Sequence, residues 1–132
     1  EMFVAKLDSS GKFLWATSAG GTPDDQDVWN SVCVDSAGNT LITGCFKGTA
    51  TFGGTELTSV NNSSDVIVAK LDPAGKIVSA YSAGGPGTDH GNGIGVDSAG
   101  NVYVAGGFNG TASFGASTLT SKGDYDIFVW RP

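Results

Sequence analysis

A chain of 132 residues has the length of one domain or of a few stacked repeats. Its net charge of −6, from seven Lys and Arg against thirteen Asp and Glu, leaves no basic stripe for phosphates. That argues against nucleic-acid and anionic-membrane partners. No apolar run approaches the ~20 residues of a membrane helix, and Val, Ile, Phe, Leu and Trp recur too evenly for a disordered chain.

Taken in order, the chain opens on FVAKLD (residues 3–8), a strand pattern, then a DSSGK turn and KFLWATS (12–18). SAGG (18–21) and an acidic loop with Asp24, Asp25 and Asp27 follow. Next come WNSVCVD (29–35), a DSAGN turn and NTLITGCF (39–46). GTATFGGTELTS then reads as a short accessory hairpin. DVIVAKLD (65–72), a DPAGK turn in which Pro73 presets φ, and KIVSAYS (76–82) complete the cycle. From SAGG at 82–85 the order repeats: GNGIGVD (91–97), NVYVAGGF (101–108), GTASFGASTLTS, and a third copy of the FVAKLD strand at 126–131.

The central segment VDSAGNTLITGCFKGTATFG (34–53) returns as VDSAGNVYVAGGFNGTASFG (96–115), an offset of 62 residues. A unit repeated at fixed spacing buries its faces against copies of itself. No segment has a helical period, so the fold class is all-β. Runs such as VIVAKL and NVYVAG are apolar on both faces and call for sheets stacked on both sides. Four short antiparallel strands per unit, A to D, with both faces covered, follow the logic of a propeller blade. The pattern GG, Asp, N-x-I/V, VDSAGNxYVxG, GTxxFG and FVAKLD, sharpest at NGIGVDSAGNVYVAG (92–106), resembles the bacterial SBBP repeat, a β-propeller repeat related to the NHL family. The resemblance implies a propeller blade, often in secreted or cell-surface bacterial proteins, and no particular reaction.

In strand letters the chain runs C-D, A-B-C-D, A-B-C: an orphan pair over 1–18, a complete blade over 19–82 and an A-B-C triplet over 83–132. An arc of about two blades does not close, and its ends carry apolar faces that invite another chain. Either the native protein is longer, or copies of the chain meet head to tail, by blade contact or by strand exchange, and give a ring or a fibre. Val129-Trp130-Arg131-Pro132, where VAKLD is expected, reads as a natural stop. The expected role is a non-catalytic extracellular scaffold. The alternative is a glycan- or protein-binding, lectin-like propeller.

Candidate site residues are few. Asp24, Asp25 and Asp27 form a loop cluster with the oxygen chemistry of calcium but no EF-hand or nonapeptide pattern, and solvation is the plainer reading. Asp89 and His90 lie in the matching loop, and no nucleophile motif or zinc spacing accompanies the single histidine. No catalytic centre and no transition metal are therefore expected. Trp29 replaces a glycine of the second copy and is the binding candidate beside the acidic loop. The repeated Asp8, Asp35, Asp72 and Asp97 are read as Asx turns. Cys33 and Cys45 match Gly95 and Gly107, so both positions are expected to be tight and to hold buried free thiols, with a disulfide as the alternative. Sequons at Asn61, Asn62 and Asn109 follow from turn composition. Val32, Val34, Ile42 and Phe46, with Ile94, Val96, Val104 and Phe108, are the expected core.

Overall fold

The structure, a computed structural model, describes residues 2–21 and 27–132. The described residues are all-β apart from one 3-10 turn at Val60–Asn62. Strands β1 (Met2–Leu7) and β2 (Phe13–Ala19) form a hairpin. Strands β3 (Val28–Val34), β4 (Thr40–Lys47), β7 (Ser64–Leu71) and β8 (Ile77–Ala83) form a four-stranded antiparallel sheet in the order β3-β4-β7-β8. Strands β9 (His90–Val96), β10 (Val102–Phe108) and β13 (Asp126–Trp130) form a three-stranded sheet in the equivalent order. Between them stand the accessory hairpins β5 (Thr49–Phe52) with β6 (Thr55–Thr58), and β11 (Thr111–Phe114) with β12 (Ser117–Thr120). These sheets are propeller-like blades, and they do not close into a ring.

Local chemistry dictates the turns. In the turn from β3 to β4, Asp35 Oδ1 accepts from the N–H of Ala37 and of Asn39, and the N–H of Gly38 donates to Asp35 O. Gly38 sits at φ 81°, a left-handed conformation that L side chains rarely adopt. Asp8, Asp72 and Asp97 repeat this arrangement. The hydrogen bonds, the side-chain amide of Asn39 foremost, hold the Asp35 carboxyl down at about 2, and Lys70 Nζ stands 3.3 Å away.

Each first strand carries a bulge. Trp29 pairs with Gly44 and Ser31 with Thr43, leaving Asn30 unpaired, and Asn92 stands in the same position of β9. The bulge presses backbone onto the next strand: a Cβ at Gly44 would lie 1.7 Å from the carbonyl oxygen of Val28, and one at Gly106 1.8 Å from that of His90. Only glycine fits at either place.

Strand β7 is buried on both faces. Ile67 and Ala69 join Ile42, Phe46, Phe52 and Met2 in one core. Val66 and Val68 join Val104, Phe108, Phe114 and Phe128 in the other. Ile42, Phe46, Val104 and Phe108 are buried as expected, and Ile94 and Val96 are half-buried. Val32 and Val34 depart from the expectation: both are more than half exposed. Their counterparts Ile94 and Val96 have β3 and β4 of the preceding unit beside them. Among the described residues the sheet that precedes β3 consists of β1 and β2, which match the third and fourth strands of a blade and leave the inner part of this face uncovered.

Truncation should separate the two classes of apolar residue. Phe46→Ala should lower unfolding stability by about 3–5 kcal/mol, whereas Val32→Ala should change it by less than about 0.5 kcal/mol in the unassociated chain. Urea denaturation at low protein concentration reads both.

Candidate functional site

The chemically distinctive place is the junction between the four-stranded and three-stranded blades. Gly84 and Ser113 exchange backbone hydrogen bonds (3.1 and 2.8 Å), which stitches the chain leaving β8 to the accessory hairpin of the next unit. Beneath that stitch Asp89, fully buried, accepts from Gly85 N–H (2.8 Å) and Asn109 N–H (3.3 Å). Asp27 repeats the arrangement one unit earlier, accepting from Gly21 N–H (3.1 Å) and Lys47 N–H (3.4 Å).

A second pair of aspartates closes the loop before the third strand. Asp65 accepts from Val60 N–H (3.1 Å) and from Ser63 Oγ (3.3 Å), and Asp126 accepts from Lys122 N–H (2.9 Å). Asp65 and Asp89 converge from adjacent blades on Gly84, where an added Cβ would lie 2.6 Å from the Asp65 carboxyl carbon and 2.8 Å from Asp89 Oδ2. Burial raises the Asp65 carboxyl to about 6, and the neighbouring Asp89 adds to the rise. Burial also raises Asp89, against the pull of its N–H donors and of His90. Two carboxyl groups in one buried site resist double ionisation.

The candidate residues fall as follows. Asp24 and Asp25 lie outside the described residues. Asp27 and Asp89 do not lie in open solvent; their oxygens are engaged by backbone N–H groups. Among the described residues no three His, Cys, Asp or Glu side chains come together as a metal cage. His90 belongs to β9 and stacks on Tyr125, ring centroids 6.4 Å apart. Trp29 is half-buried and packs on Phe52 (5.9 Å), at the margin of a small pocket shared with Phe3, Val4 and Ile42. Trp15, another aromatic that the blade pattern does not require, donates its Nε1–H to Pro73 O (3.1 Å) and lies over Gly75.

Cys33 and Cys45 are free thiols on neighbouring strands, opposite Leu41 and Val28 rather than each other. Cys45 is buried and Cys33 only half-buried. The second copy corrects the expectation of tight packing there: a Cβ at Gly95 meets nothing within 4 Å, and one at Gly107 meets only atoms at 3.8 Å. Gly95 thus faces open space, and Gly107 has room for a side chain in ordinary contact.

Sequence reasoning missed Asp65 and Asn30. Asn30 Nδ2 donates to Gly91 O (3.0 Å) and clasps one blade to the next. Both residues recur, as Asp126 and Asn92, while their neighbours change: Val28-Trp29 becomes His90-Gly91. Identity amid variation was the available signal.

Residues 79–107 match the SBBP beta-propeller repeat family. The matched segment runs from the fourth strand of one blade through the first two of the next, and so contains Gly84, Asp89, Asn92 and Gly106. A search of curated proteins finds no match. The SBBP repeat read in the sequence is matched over this segment, and the blades are propeller-like.

The carboxyl pair makes junction stability depend on pH. Asp65 holds its proton to about pH 6 when folded and to about 3.8 when unfolded. The stabilisation is therefore complete below pH 3.8 and lost as pH rises through 6. Asp65→Asn should raise stability at pH 7 by about 1–3 kcal/mol and change it little at pH 3.5. Denaturation midpoints across that range read the difference.

Proposed function

We propose that the chain is a non-catalytic, extracellular scaffold of propeller blades whose copies associate end to end through apolar blade faces. One comparison carries the reading. Val66 and Val68 of β7 are 0% and 3% exposed because the next blade covers them; their counterparts on β13, Ile127 and Val129, are 88% and 75% exposed. At the other end Phe3 is 75% exposed where its counterpart Ile67 is 0%. The end faces thus carry the two halves of the contact that the chain makes internally between its own blades.

Burying an exposed Ile or Val is worth about 1.5–3 kcal/mol. A few such residues per face supply an association free energy of ordinary size. The repeated aspartates support a structural role, since their oxygens serve backbone N–H groups in turns and junctions. The SBBP repeat supports the extracellular assignment through its resemblance to secreted and surface proteins. A glycan-binding role has less support, because Trp29 packs on Phe52 and Trp15 on the turn at Pro73–Gly75.

Sedimentation velocity tests the proposal. The 13.3 kDa chain should run at micromolar concentration as dimers or larger species, and Ile127→Glu with Val129→Glu should return it to monomer. A wild-type chain that stays monomeric up to 100-fold higher concentration would overturn the proposal.

A further inference from the structure

Resting on that reading of end-to-end association, the geometry points to a specific mode of it: β13 of one copy takes the place of β1 in a second copy and pairs with the second copy's β2. The two copies then share one four-stranded blade, β9-β10-β13 from the first and β2 from the second.

Three observations carry this. The first is a groove of about 860 Å³ between β8, the β11–β12 hairpin and β13, lined by Tyr81, Phe114, Gly115, Leu119, Phe128 and Trp130. In the four-stranded blade the corresponding space holds β8, whose Ile77 lies so near Gly53 that an added Cβ would sit 2.5 Å from Ile77 Cβ. Gly115, the counterpart of Gly53, has nothing within 4 Å. The groove is thus shaped for a fourth strand alongside β13, whose outer edge has no paired strand among the described residues.

The second is register. In the four-stranded blade Val66 pairs with Ala83, Val68 with Tyr81 and Ala69 with Ala80. In the N-terminal hairpin Met2 pairs with Ala19, Val4 with Thr17 and Ala5 with Ala16, which are the same positions of the repeat. Strand β2 is therefore already a fourth strand lying on a third strand in the blade register. Transferred to β13, that register sets Ile127 opposite Ala19, Val129 opposite Thr17 and Trp130 opposite Ala16. The small Ala16 leaves room for the indole, which packs toward Phe114 (6.1 Å), and Phe13, the counterpart of Ile77, reaches the open side of Gly115.

The third is what β13 brings to the second copy. Ile127 and Val129 fall where Met2 and Val4 now pack against the first core, so that core keeps its cover when β1 leaves. Strands β9 and β10 arrive with β13 and cover Val32 and Val34. The bulged Asn92 meets the second copy's Trp29 carbonyl, just as Asn30 meets that of Gly91 within one chain. The exchange trades a two-stranded hairpin, marginal by itself, for the last strand of a four-stranded sheet.

Disulfide trapping tests the register. In a Cys33→Ala, Cys45→Ala background, one chain carries Thr17→Cys and another Val129→Cys. Mixed and oxidised, they should give a 17–129 linked heterodimer as the main product. Ala16→Cys in place of Thr17→Cys should give at least tenfold less, because neighbouring residues point to opposite faces. Hydrogen exchange on the wild-type chain supplies the second reading: with rising concentration, amides of Met2–Leu7 should lose protection while those of Asp126–Trp130 gain it. Association without the 17–129 link, and with Met2–Leu7 still protected, would overturn the exchange and leave end-to-end stacking standing. Absence of association in sedimentation would overturn both.

Discussion

The structure depends on strands that are apolar on both faces. Val66, Ile67, Val68 and Ala69 run consecutively along β7 and all are buried, two toward one neighbouring sheet and two toward the other. A single sheet covers neither side of itself, so such a strand is stable only between two others. From that requirement follow the repeat and the stacking of blades. Phe46 on Phe52 (5.7 Å) and Phe108 on Phe114 (5.9 Å) show the same edge-on ring contact built twice, each tying a second strand to its accessory hairpin. The faces do the cohesive work, and the loops only fix how far one blade is turned from the next.

Polar groups take up that second task. The aspartates at the turns accept from N–H groups two and four residues on, which fixes hairpin geometry at no cost to the core. Asp27 and Asp89 act across units, holding the glycine that leaves one blade and the residue that ends or follows the second strand of the next. Where Asp65 reaches the same junction, two carboxyl groups are buried within reach of each other, and the electrostatic cost appears as a raised proton affinity. The glycines of SAGG allow the approach: a side chain at Gly85 would collide with the carbonyl of Thr111 at 1.8 Å.

Much of this is legible in the sequence. The offset of 62 residues and the DSAGN turns located the strands of the four-stranded sheet to within a residue or two, because turn chemistry and alternation are local properties. Burial was less legible. Val32 and Ile94 occupy the same repeat position, and one is exposed while the other is half-buried, since the difference lies in which strands stand on the preceding side. The glycines that match Cys33 and Cys45 in the second copy misled in the same way. A glycine in a repeat marks tight approach at Gly44 and Gly106, whereas Gly95 marks open space, and the letter alone does not separate them. The candidate site suffered most. Clustered acids at 24–27 suggested a ligand set, and among the described ones Asp27, like Asp89, bonds a glycine N–H in a crossover, which only the three-dimensional path reveals.

The distribution of charge bears on the association proposed for this chain. Thirteen acidic residues against seven basic ones give every copy the same sign, so two copies repel at long range. The residues that distinguish the end faces, Phe3, Val32, Val34, Ile127 and Val129, carry no charge. Salt at physiological strength confines the repulsion to roughly 8 Å, while burial of apolar surface is not screened at all. The balance therefore favours contact through the ends over contact through the charged turns and rims. In the proposed assembly, an acidic body with apolar ends would direct growth along the stacking direction, which is the direction in which the repeat already builds.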